Sequence, residues 1–159
     1  MDGFVSYSHD DYAAFTTFQR HLRAVERAFD IKFWSDQRID AGYHWNSTIQ
    51  QRIKTSEVFV LLVSPGFIAS DYIYDKEIPA IQRRKKASGA LVLPLVLAQC
   101  SWKMVCGALQ SMPLRDGRLK PVADWKPQEN GYDCARDQIQ RTLQNYYGLT
   151  PKNKRWAGP

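Results

Sequence analysis

Val58-Phe59-Val60-Leu61-Leu62-Val63 is an apolar run with no polar alternation, the pattern of a strand covered on both faces in a parallel sheet. Ser64-Pro65-Gly66 stops it. Leu91-Val92-Leu93-Pro94-Leu95-Val96-Leu97 has the same character, and its proline predicts an edge position or a bulge. Upstream, Phe4-Val5-Ser6-Tyr7 and Ile31-Lys32-Phe33-Trp34 read as shorter strands, and a fifth is expected around Pro121-Val122. Helical spacing fills the intervals. Phe15, Phe18, Leu22, Val25 and Phe29 form one stripe, with Asp10 or Asp11 as its cap; Trp45, Ile49 and Ile53 form another, opened by Asn46 or Ser47. Further helices are predicted over 70–86 and about 133–147, the last facing inward through Ala135, Ile139, Leu143 and Tyr146 or Tyr147. Alternating strands and helices predict an α/β fold: a flavodoxin-like five-stranded parallel sheet of order 2-1-3-4-5 with helices on both faces.

The 159 residues are expected to form one domain over 1–148, followed by a basic, disordered tail or linker over 149–159. No apolar run is long enough to span a membrane and no signal peptide is recognisable, so a cytoplasmic protein is expected. Cys100, Cys106 and Cys134 cannot all pair within the chain and match no common zinc spacing, which favours free thiols. The net charge of +6 is concentrated at Arg83-Arg84-Lys85-Lys86, opposing the negative end of a helix dipole, and at Lys152, Lys154 and Arg155. Without a nucleic-acid motif these read as solvated cations, and no nucleic-acid partner is expected.

Ligands of such sheets bind outside the carboxyl ends of the strands, here the segments 8–11, 35–45, 64–71 and 98–102. One residue after that rim is out of place. In Ile73-Tyr74-Asp75-Lys76-Glu77, helical phase puts Glu77 between Ile73 and Ile81 on an apolar arc widened by Tyr74 and Ile78. A carboxylate there loses several kcal/mol of hydration unless it is paired or held in a functional cleft. Pro79 is expected to kink this helix or to sit near its start.

Several chemistries are excluded. The first strand runs into Tyr-Ser-His-Asp-Asp rather than a glycine-rich phosphate cradle, and no Gly-x-Ser-x-Gly elbow occurs. A phosphoacceptor receiver needs an aspartate after the third strand, where Ser64 stands. His9, His21 and His44 lack metal-ligand spacing, and His21 is expected at the surface.

The chain resembles a bacterial TIR (Toll/interleukin-1 receptor) domain from Phe4 to about Tyr147. The signatures are Phe4-Val5-Ser6-Tyr7-Ser8-His9-Asp10-Asp11; the BB-loop stretch Trp34-Ser35-Asp36-Gln37-Arg38-Ile39 through Gly42 and Trp45; Leu62-Val63-Ser64-Pro65 through Phe67, Ser70 and Glu77; and Leu93-Pro94-Leu95. The resemblance implies that Glu77 is the catalytic glutamate of an NAD nucleosidase cleaving the nicotinamide–ribose bond to ADP-ribose or a cyclic product. It implies a role in bacterial anti-phage immunity, activated by self-assembly through the BB loop. NAD is then a substrate, and no cofactor or metal is implied.

By the same resemblance Tyr7, Ser8, His9 and Asp10 line the pocket floor, Trp34 and Asp36 border it, and Arg38 meets a phosphate. Where the family's Trp-Cys-x-x-Glu variant has tryptophan this chain has Ile73, so Tyr72, Tyr74 and Trp34 are alternative base-stacking residues. The alternative function is a non-enzymatic adaptor that acts only through TIR–TIR contacts.

Overall fold

The computed structural model describes residues 1–36 and 45–152. Strands β1 (Asp2–Ser6), β2 (Lys32–Trp34), β3 (Val58–Val63) and β4 (Leu91–Val96) form one parallel sheet in the order β2-β1-β3-β4. Around it lie α1 (Tyr12–Phe29), α2 (Trp45–Thr55), α3 (Pro65–Ala69), α4 (Ile78–Ser88), α5 (Lys103–Cys106) and α6 (Glu129–Tyr147).

The unbroken apolar run of β3 feeds two layers. Val58, Val60 and Leu62 pack with Phe15, Phe18 and Leu22 of α1 and Ala135 and Ile139 of α6. Phe59, Leu61 and Val63 pack with Ile49 and Ile53 of α2 and Ile81 of α4. Each such side chain contributes roughly 1.5–3 kcal/mol when fully buried, so a polar residue at either parity would weaken one layer. This is the predicted flavodoxin-like arrangement as far as the fourth strand.

The fifth strand is not found among the described residues. Pro121 instead leads into a 3-10 turn, Val122–Asp124, whose only buried residue is Val122. The place beside β4 is held by a single parallel bridge: Met112 N donates to Pro94 O and Val96 N donates to Met112 O, each at 2.8 Å. The Pro94 carbonyl points to that outer edge, and so does its missing N–H, so the proline costs β4 no bond to β3.

Three other expectations change. No strand is expected between β4 and Pro121, yet β5 (Leu114–Arg115) and β6 (Arg118–Leu119) form a hairpin. Its turn is Asp116-Gly117, with φ of 50° and 74°, as a two-residue type I′ turn requires. The last helix starts at Glu129 rather than near 133, and Gly131 in its first turn makes room for an indole: a Cβ there would lie 2.8 Å from Trp125 Cδ1. His21 is not a surface residue. It joins α1 to α6, with Nε2 2.7 Å from Glu129 Oε2 and Nδ1 3.1 Å from Asp133 Oδ1.

Past Gly148 the chain remains docked as far as it is described. Leu149 packs on the α1–α6 layer and Lys152 N donates to Ala28 O at 2.7 Å. All three cysteines are free. Among the described residues no helix is long and apolar enough to cross a membrane.

Candidate functional site

Ser6 closes β1 and shares parity with Phe4, so its side chain faces the layer covered by α2 and α4. Over that layer the helix predicted from residue 70 runs without interruption over 71–88 but changes register within it. After α3, a π-helical turn spans Ile73–Glu77, and α4 begins at Ile78. Pro79 accounts for the change of register. It has no N–H for the carbonyl of Asp75, and its ring would strike that carbonyl in α register. One wider turn, closed by Ile78 N donating to Ile73 O, removes the conflict. Ile73, Glu77 and Ile81 are all buried, as their spacing predicted. Tyr74 is not on their face; it is 53% exposed.

Glu77 is 6% exposed, and Ser6 Oγ donates a short hydrogen bond to its Oε2. Burial pushes its carboxyl from 4.5 up to about 7; the Ser6 hydrogen bond opposes this, Asp36 adds to it and His9 opposes it. The last two form a pair, His9 Nε2 donating to Asp36 Oδ2 at 2.6 Å. His9 is mostly exposed and Asp36 mostly buried, and Asp36 Oδ1 has no hydrogen-bond partner among the described residues. An unmet buried acceptor costs about 1–3 kcal/mol. The rim of β1 and β2 thus collects a raised carboxyl, a second carboxylate with an open acceptor and an imidazole. That set can accept bonds from hydroxyl groups and stabilise positive charge.

The other predicted site residues divide. Tyr72 lies within electrostatic reach of Glu77, is pushed above the usual phenol range chiefly by burial, and donates from its hydroxyl to Asn46 Oδ1 at 2.7 Å. The Tyr7 ring belongs to the α1 layer, stacked on Phe15 with centroids 4.2 Å apart. Trp34 is buried against Phe4, centroids 5.5 Å apart, with the Arg52 guanidinium 5.6 Å over its ring. Ser8 Oγ accepts from Asp10 N at 3.3 Å, and both side chains lie against Gly66, where a Cβ would come within 3.2 Å of each. Arg38 lies outside the described residues.

Two partners of this rim escaped the sequence reading. Ser6 looked like one more strand residue, although a small polar side chain in phase with Phe4 is the signal that marks it. Ser64, found where a receiver would have aspartate, donates to Asp11 Oδ2 and accepts from Phe67 N at 3.0 Å, which caps α3. The thiols offer no nucleophile: burial raises all three, Cys106 to about 11.

A sequence model described as TIR domain matches residues 4–133. The chain is also similar to an uncharacterized protein, y4lF, of Sinorhizobium fredii, at 38% identity over 123 residues, covering 77% of this chain and 37% of that one. It therefore spans well under half the length of that relative.

Proposed function

The chain belongs to the TIR domain family, and on that premise we propose that it cleaves NAD at the nicotinamide–ribose bond with Glu77 as the catalytic carboxylate. The observation that carries the reading is a glutamate buried at the carboxyl rim of the sheet, gripped by Ser6 and facing the His9–Asp36 pair. The C–N bond breaks with its electron pair going to the pyridinium nitrogen, so nicotinamide leaves neutral and needs no acid. One carboxylate then suffices, in contrast to the two of ordinary glycosidases. Ionised Glu77 stabilises the positive charge that develops on the ribose, and the open acceptor of Asp36 suits a ribose hydroxyl. Attack by water, with loss of its proton, gives ADP-ribose; attack by an adenine nitrogen gives a cyclic product.

Arg38 on a phosphate, closure of the site by a second TIR domain, and service in bacterial anti-phage defence complete the proposal. Nicotinamide release is to be measured with wild type and Glu77→Gln at high protein concentration or under forced assembly. Loss of release in the variant supports the reading. Stoichiometric assembly without release by wild type replaces it with the adaptor.

A further inference from the structure

We infer that Ser6 is a positioning residue for Glu77: from the last place on β1, its hydroxyl decides which way the carboxylate faces. The inference rests on the proposed role of Glu77. It starts from rigidity. Ser6 sits in the ladder that pairs β1 with β3, opposite Leu61, and is 2% exposed. Its oxygen is therefore fixed by the sheet and not by a loop. Glu77 is carried on the π turn that runs directly into α4. Groups on strands and helices are held more closely than groups on loops, so both partners of this bond are well placed.

The bond takes one carboxylate oxygen, Oε2. Among the described residues, Ser6 thus supplies the side-chain donor to the buried anion. A hydroxyl that donates to a carboxylate favours its charged form, the form that the sugar's developing positive charge requires.

The test uses Ser6→Ala and Ser6→Thr, the latter keeping the hydroxyl, with the full chain glutamate-labelled in carbon-13. NMR titration of Glu77, assigned by its absence in Glu77→Gln, is read beside the pH profile of nicotinamide release. In Ser6→Ala the titration midpoint is expected to rise by about one to two pH units, the size of a lost hydrogen bond to a charged group. Release at neutral pH falls about tenfold or more and recovers at higher pH, while Ser6→Thr stays near wild type. An unmoved titration, or a loss of release equal at every pH, overturns the inference and reduces Ser6 to a packing residue. A moved midpoint in a protein whose wild type releases no nicotinamide supports the hold of Ser6 on the carboxylate and overturns the NAD reading instead.

Discussion

Two serine–carboxylate pairs stand at the carboxyl rim of the sheet, Ser6 with Glu77 at the end of β1 and Ser64 with Asp11 just after β3, and they behave differently. Ser64 works twice, donating to Asp11 and capping α3 through Phe67 N, and Asp11 stands at the start of α1. That pair joins three elements and is part of the scaffold. Ser6 works once, on a carboxylate that caps nothing and lies beside a second carboxylate with an open acceptor. Burial raises both acids, Asp11 against its Ser64 hydrogen bond and Glu77 up to about 7. Glu77 is thereby held near neutrality, where a small change in surroundings changes its charge. The same chemical pair thus serves architecture at one strand and reactivity at another, and the difference lies in what else each serine must do.

The largest effect expected from this contrast is on stability. The folded pKa of Glu77, about 7, exceeds the ordinary glutamate value of 4.5, so between those values the folded chain holds the extra proton. Stability therefore falls as pH rises through that window, by as much as about 3 kcal/mol from this group. Urea denaturation of Glu77→Gln at pH 8 should show that gain over wild type, and almost none at pH 4. A gain equal at both pH values would mean that the glutamate is not the source.

Next in size is Ser64→Ala, which removes the α3 cap and the donor to Asp11 together, at a cost of about 2 kcal/mol in the same denaturation assay. Nicotinamide release per folded molecule should be unchanged. If release collapses while the fold survives, the two pairs are not as separate as their bonding suggests.

Pro79→Ala sharpens the comparison from the other side. It restores an N–H and permits α register, which would turn Glu77 away from Ser6. Release should fall by about tenfold or more with stability changed by less than about 1 kcal/mol. Retention of the Ile78–Ile73 turn in a crystal structure of the variant would show that the proline is not what sets it. The smallest effect belongs to Asp11→Asn, expected to cost under about 1 kcal/mol.

How much of this could be read beforehand follows from the physics of each part. The strands β3 and β4 were legible because burial on both faces leaves no polar residue in them. Glu77 was legible because its charge violates that rule on a helix face. The register of its turn was not: Pro79 says that α geometry must fail nearby, but not whether a kink, a start or a wider turn resolves the failure. Ser6 was hidden because its partner lies 71 residues away and only the folded sheet brings them together. Val122 looked like a strand because one β-branched residue beside a proline satisfies a local pattern, whereas the place beside β4 was taken by Met112. Tyr7 and Trp34 were assigned to the site by resemblance, and their rings belong to the core.

The contrast between the two pairs is tested most directly by following nicotinamide release from NAD for wild type, Glu77→Gln and Asp11→Asn, side by side, by chromatography at high protein concentration. The expected result is release by wild type, release within a few-fold of it by Asp11→Asn, and a loss of about a hundredfold or more in Glu77→Gln. Equal release by wild type and Glu77→Gln would contradict the assignment of catalysis to the buried glutamate.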